Sequence, residues 1–332
     1  MRLLRALHSA TLGLLLSSAC TRGTSSAADT SPPAGATASS GPKWRGKATS
    51  CASLPASCGP SGNDDCCRTL LVPGGTFART YDGVDFLDAS FPATVSDFYL
   101  DKYEITVGRL RRFVNAGMGT QEHPPSEGSA AHPLIARSGW SSAWNGNLPA
   151  NALELNATLK CHELYQSWTD LPGSNENKPV NCLDWYTAFA FCAWDGGRLP
   201  TEAEWNYAAS AGGEQRYYPW SIPADSTVID DSYAVYCGST CRLLNVGSKS
   251  PKGDAKWGQS DLGGNVWEWT LDFAGGEYPL PCRDCAAIEG GTYRAFRSGS
   301  NDDIAATLRS GVRHVYYPEY RGVVGARCAR NP

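Results

Sequence analysis

Thirteen cysteines limit what this chain of 332 residues can fold into. In an oxidising compartment so many thiols pair, and the bridges hold loops in place that have little regular secondary structure of their own. The N-terminus points to such a compartment. Arg2 and Arg5 precede a short apolar stretch, Leu12 to Leu16, and the small residues Ser17, Ser18 and Ala19 lead to Cys20, which is the layout of an export signal. The stretch is far shorter than the roughly 20 residues that span a bilayer. Two processing routes fit: cleavage after Ala19 by ordinary signal peptidase, or lipidation of Cys20 as in bacterial lipoproteins. We favour the lipoprotein, although Leu16 sits one place too early for it. The expected location is therefore the periplasm, outer membrane or cell surface of a bacterial envelope, with the membrane reached only through a lipid at Cys20. Setting Cys20 aside leaves twelve cysteines, an even number that reads as disulfides.

Four of them, Cys51, Cys58, Cys66 and Cys67, form a cluster expected to pair within itself, in any of three connectivities. Cys282-Arg-Asp-Cys285 has the form of half a zinc site. No second pair shares its spacing, so zinc would have to join it to Cys237 and Cys241. The net charge of −4 offers no basic footprint for nucleic acid. With Gly 35, Pro 21 and Trp 11 against Met 2, turn residues interrupt the apolar pattern too often for long helices or a βα repeat.

The organisation expected is a signal peptide over residues 1–19, a low-complexity tether over 20–49, a small Cys-rich segment over 50–68 and one domain over 69–331. The tether is rich in Ser, Ala, Thr, Gly and Pro and buries too little surface to offset its ordering entropy. Three helices are predicted. The first, Thr106 to Asn115, places Val107, Leu110, Phe113 and Val114 at helical spacing and stops at Gly117. The second, from about Leu183 to Trp194, places Trp185, Phe189 and Cys192 on one face. The third opens at Thr201, with Glu204 three residues on to complete a capping box. Short strands and turns fill the remainder, so the local pattern is α+β.

Several segments, in order, resemble the formylglycine-generating enzyme (sulfatase-modifying factor) family. They are Leu71-Val72-Pro73-Gly74-Gly75-Thr76-Phe77, Phe98 to Thr106, Pro179-Val180-Asn181-Cys182 with Trp185, Gly197 to Trp205, Asp261 to Thr270, Arg297-Ser298-Gly299-Ser300 and Gly325-Ala326-Arg327-Cys328. The resemblance implies a compact, irregular, C-type-lectin-like α+β fold stapled by disulfides. It also implies a Cys192–Cys328 bridge. Cys237–Cys241 and Cys282–Cys285 are expected as local pairs, and Cys161–Cys182 as a weaker one, since both flank an aromatic-rich insertion and no closer partner remains.

The segment Asp261 to Glu268 has a chemistry of its own. Two carboxylates bracket glycines that let carbonyls turn inward, a mixture that suits calcium; without the resemblance a tight turn with solvated acids is the plainer reading. The resemblance implies a structural calcium held by the Asp261 and Glu268 side chains and the Gly264 and Val266 carbonyls. A second calcium site of the family is less well matched, because Val235 has no side-chain oxygen.

The family oxidises a substrate cysteine with oxygen through two close cysteines that bind copper(I), a soft metal that requires soft sulfur ligands. Those two positions fall here on Asp303 and Leu308, and the Asn common before the final motif is Val323. Copper is therefore not expected, no catalytic residue is assigned, and iron is left undecided. The related sulfoxide synthases use non-haem iron with an extra histidine-rich domain. This chain has only His8, His123, His132, His162 and His314, without a His-x-x-x-His pair. Asp302 and Asp303 read as caps or as partners of Arg309 and Arg313. The expectation is a catalytically divergent domain that binds a peptide, protein or sugar, with Trp140 and Trp144 in the insertion Gly117 to Gly173, and Ser300, as candidate ligand contacts; Trp168 belongs to the same set of loop aromatics, each of which could equally be a core residue. The alternative is an oxidoreductase acting on a protein or metabolite.

Overall fold

A computed structural model describes residues 46, 48–238 and 241–332. The expected signal peptide (1–19), the lipidation site Cys20 and all of the expected tether 20–49 except residues 46, 48 and 49 lie outside the described residues. The described residues belong to one compact unit.

Its sheets are small. β1 (Thr69–Val72) and β10 (Ala329–Arg330) flank β4 (Phe98–Asp101), both antiparallel to it, so the two ends of the domain meet on one strand. β3 (Pro92–Val95) pairs antiparallel with β2 (Gly75–Ala78) and parallel with β6 (Cys282–Arg283). The third sheet has the order β8 (His314–Tyr316), β7 (Tyr293–Arg297), β5 (Trp267–Ala274), β9 (Val324–Gly325).

All three predicted helices form. α1 (Val107–Asn115) is capped by Thr106, whose hydroxyl accepts from the Arg109 N–H. α3 (Trp185–Trp194) is capped by Asp184, and α4 (Glu202–Ala209) has the full capping box of Thr201 and Glu204. The second of these differs from its prediction. Residues Trp185 to Cys192 are buried on every side, so α3 is a central helix rather than an amphipathic one, as its nearly unbroken apolar sequence allows. A further helix, α2 (Ala152–Thr158), lies inside the insertion. Its signal was present in the sequence: Asn151 accepts from the Leu153 and Glu154 N–H groups, and Glu154 accepts in turn from Ala150 N.

The main core packs α1 and α3 against β5 and β7, with Trp140, Trp168, Trp185 and Trp269 almost wholly buried. Trp140 and Trp168 therefore correct the expectation of loop-displayed aromatics. Trp140 is 1% exposed and donates from Nε1 to Asn145 Oδ1 at 2.9 Å, while the Arg111 guanidinium lies 4.4 Å over the Trp168 ring. Trp144 is half-buried, edge-on to Trp140 at 5.5 Å and to Trp185 at 5.2 Å. The insertion folds its tryptophans inward because each ring offers more apolar area to the core than any other side chain there.

Six disulfides pair all twelve described cysteines: Cys51–Cys67, Cys58–Cys66, Cys161–Cys182, Cys192–Cys328, Cys237–Cys241 and Cys282–Cys285. Six bridges fit a protein kept outside reducing compartments, and no helix among the described residues is long and apolar enough to cross a membrane. With Cys282 and Cys285 bonded to each other, and Cys237 and Cys241 likewise, neither pair offers zinc a thiolate.

The Cys-rich segment is part of this body. Ser50 is fully buried, its N–H donates to Asp195 Oδ1 at 2.7 Å, and its hydroxyl accepts from Arg109 Nε at 3.0 Å. Arg109 also bridges Asp101 and Asp195, and Arg330 pairs with the same two carboxylates. Two arginines and two aspartates thus close a charge-balanced, sealed square joining β4, α1, the C-terminus of α3 and β10.

Candidate functional site

Asp303 and Leu308, expected from the sequence to stand where the family carries its cysteines, lie on the segment that leaves β7 of the third sheet. Trp267 opens β5 and meets Phe296 of β7 at 5.1 Å between ring centroids. His314 of β8 pairs in register with Phe296 and lies 5.4 Å from the Trp267 ring. Beyond β7 the chain turns sharply at Ser298 and Gly299, both at positive φ. A Cβ on Gly299 would lie 2.9 Å from Leu308 Cδ1 and 3.1 Å from the Thr307 carbonyl. Glycine is thus required by both conformation and space.

The turn delivers Asp303 to Trp267. Asp303 Oδ2 accepts from Trp267 Nε1 at 2.8 Å and from Ser300 Oγ at 2.5 Å, and its carbonyl accepts from Cys237 N at 2.7 Å. The expected partners Arg309 and Arg313 are engaged elsewhere, Arg309 with Asp85 and Arg313 with Glu202. Ser300 is 2% exposed and spends its hydroxyl on Asp303, so it positions that carboxylate rather than presenting itself to a ligand. Leu308 ends a 3-10 turn, Ala305–Leu308, and is fully buried in an apolar cluster with Tyr217, Tyr218, Trp220 and Tyr236. One of the two positions is therefore a hydrogen-bonded carboxylate, the other a core aliphatic. The copper(I) site implied by the resemblance does not fit these residues, since neither carries sulfur.

Tyr316 and Tyr320 continue the aromatic surface, their ring centroids 4.0 Å apart. Burial raises the Tyr320 phenol above its ordinary value, and Tyr165, Tyr316 and Asp303 lie close enough to add to the rise.

The segment Asp261 to Glu268 sits in a buried, acidic place. Asp261 adopts positive φ, and its Oδ2 accepts from Gly247 N at 2.6 Å. Glu268 is wholly buried; Arg327 donates to both of its oxygens at 2.7 Å, and Trp205 Nε1 donates to Oε2 at 2.8 Å. A third carboxylate, Glu104, was not singled out from the sequence. Its oxygens accept from Val266 N at 3.1 Å and Asn265 Nδ2 at 2.9 Å, clamping the backbone of the same segment. Burial pushes the Glu104 carboxyl well up, with Asp261 and Glu268 adding; burial likewise pushes Asp261 up to about 6. Three carboxylates face one guanidinium, and the surplus negative charge is what a divalent cation would offset. Gly264 is fixed here because a Cβ would meet the Val235 carbonyl at 2.4 Å.

The histidines are dispersed. His132 is buried with Nε2 3.4 Å from Glu204, His162 stacks on Tyr165 at 4.5 Å, and His123 lines a cavity of about 190 Å³ with Phe113 and Trp194. That cavity and a more polar one beside Arg198 and Asn331 are lined by none of the residues around Asp303. Among the described residues, the one place where three His, Cys, Asp or Glu side chains bring ligand atoms within 4.8 Å of one another is Cys51, Asp65 and Cys67, where the two cysteines are bonded to each other.

Comparison with known proteins identifies the family and the fold. The family model of the sulfatase-modifying factor enzyme 1-like domain matches residues 56–332. Hercynine oxygenase of Mycobacterium tuberculosis is 31% identical over 258 residues, covering 73% of this chain and 55% of that protein. The chain thus spans little more than half the length of that relative. Inactive C-alpha-formylglycine-generating enzyme 2 of Bos taurus is 28% identical over 282 residues, 75% of this chain and 84% of that protein. The structure of PvdO from Pseudomonas aeruginosa shares the fold, with a TM-score of 0.55 at 20% identity over 80% of this chain and 94% of that one. With the matching segments in order, one α+β body and a family match over most of its length, the chain belongs to the sulfatase-modifying factor enzyme 1-like domain family.

Proposed function

We propose that this protein is a catalytically divergent member of its family, acting by binding a ligand or protein partner in the bacterial cell envelope. The carrying observation is the pair Asp303 and Leu308. A dithiolate cannot be assembled from a carboxylate tied to Trp267 and a leucine sealed in an apolar cluster, and every described cysteine is already in a bridge. The bovine relative, whose name includes "inactive", supports the same reading. Export with a lipid anchor at Cys20 completes it, supported by the six bridges and the N-terminal pattern. The purified chain, supplied with copper, a reductant and oxygen, is expected to leave a cysteine-containing sulfatase peptide unconverted. Mass spectrometry of the peptide checks this, and oxygen-dependent formylglycine above background would overturn the reading. An oxidoreductase of another kind has the hercynine oxygenase resemblance behind it, but no gathered ligand set among the described residues.

The acidic place around Asp261 fits a structural calcium. Asp261, with the Gly264 and Val266 carbonyls, would supply the oxygens, while Glu268 retains one lone pair on Oε1 after its bonds to Arg327 and Trp205. Bound calcium would supply charge balance and brace the turn that leads into β5. Chelation is expected to lower the melting temperature, and added calcium to restore it in proportion to the logarithm of its concentration. A melting point indifferent to both treatments, with no calcium found by elemental analysis, removes the ion from this site.

A further inference from the structure

Resting on the reading that this domain binds rather than oxidises, we propose that Asp303 and the aromatic residues around it recognise a donor-bearing organic cation, a primary ammonium or guanidinium group. Asp303 Oδ2 is fixed by Trp267 Nε1 and Ser300 Oγ, both neutral donors. Among the described residues no donor reaches Oδ1, and no cation pairs with the carboxylate. The arginines of the neighbouring chain are committed elsewhere: Arg309 to Asp85, Arg313 to Glu202 and Arg321 to Asp184. Asp303 is a half-buried carboxylate, held in place, that has no counter-ion among the described residues.

What surrounds it is aromatic. Trp267 bonds to it directly, His314 lies 5.4 Å from the Trp267 ring, and Tyr320 and Tyr316 stand together at 4.0 Å, with Tyr316 42% exposed. Asp303 is near enough to Tyr320 to raise its phenol further, and Tyr165 approaches from the insertion. Asp302, exposed and next in sequence, adds negative charge. A carboxylate beside π faces is the chemistry that holds organic cations: the rings attract the charge and the carboxylate takes a charge-assisted hydrogen bond. The free acceptor favours a cation that carries N–H over a quaternary ammonium, which has none to give.

Calorimetric titration of the full chain tests this with an N-acetylated, C-amidated Gly-Lys-Gly peptide and with agmatine as a free cation. Both should bind saturably if the site takes any accessible cation; binding of the peptide alone would assign a peptide-borne one. Acetylating the lysine should weaken binding at least about tenfold, and trimethylating it should weaken binding too, because each removes the charge or the N–H donors. Asp303→Asn keeps an oxygen for Trp267 and Ser300 but loses the charge, and should also cost about tenfold with an unchanged melting temperature. Tyr320→Leu, which leaves those two hydrogen bonds alone, should weaken binding as well and decides the matter if Asp303→Asn does not fold. Absence of saturable binding of both probes at millimolar concentration, equal affinity for the acetylated peptide, or indifference to both substitutions would overturn the site. Undiminished binding of a neutral glycoside or peptide here would sink the cation while leaving the binding-module reading intact. Formylglycine production would sink that reading itself.

Discussion

Replacing Cys192 and Cys328 together with alanine is expected to destabilise the domain by about 5 kcal/mol, counted as the chain entropy released when a loop of this length opens. The bridge closes a separation of 136 residues, by far the longest of the six. Both sulfurs lie in fully buried residues of the main core, one on the central helix α3 and the other just before β10. Replacing the same two residues with serine or valine separates the loss of the cross-link from the void left by two buried sulfurs. For a domain of this size the expected loss corresponds to a drop of roughly 10–20 °C in melting temperature. Denaturant unfolding under non-reducing conditions, with the other five bridges verified by peptide mapping, is the measurement. A shift under about 1 kcal/mol would mean that the denatured chain keeps these two segments close even without the bridge.

Asp195→Ala should be nearly as damaging, at about 3–5 kcal/mol, because it leaves buried charge without compensation. Asp195 is wholly buried and takes hydrogen bonds from Ser50 N, Arg109 and Arg330. Its loss strands two guanidiniums on Asp101 alone and orphans the Ser50 N–H, which also loosens the Cys-rich segment. The expected signature is therefore double: a lower unfolding midpoint, and faster amide exchange around residues 50–67 than a core truncation of similar cost produces. Substituting all four charged members by apolar residues of similar volume should cost far less than this single change, since desolvation is then no longer paid. Equal losses from the two variants would show that packing, rather than ionic balance, holds the square together.

Several features were legible in the sequence because their causes are local. The Thr201–Glu204 capping box needs only its own four residues, and the stop of α1 needs only its own turn. The vicinity of Asp303 was legible only in part. Its position was marked by the segment after Arg297, but its partners Trp267 and Ser300 were not, and Arg309 and Arg313 were expected instead. Trp140 and Trp168, in the long insertion Gly117 to Gly173, could be read as loop-displayed or as core. Burial depends on what the segment meets, and here it meets α1 and α3. Glu104 gave no signal, since a lone acid before a helix reads as solvated until Asn265 and Val266 are brought to it from 161 and 162 residues away.

By itself the sequence determined the family, the α+β class and the caps of α1 and α4. These follow from residue identity, order and contacts within a turn or two of chain. Only the tertiary structure decided which cysteines of the 51–67 cluster pair, that α3 is central rather than amphipathic, and that the Cys-rich segment belongs to the same body through Ser50. It alone decided that Asp303 is a carboxylate braced by neutral donors and, among the described residues, without a paired cation. Such outcomes rest on desolvation and on pairing across long separations, and burial and counter-charges are set by the packed chain rather than by any one segment of it.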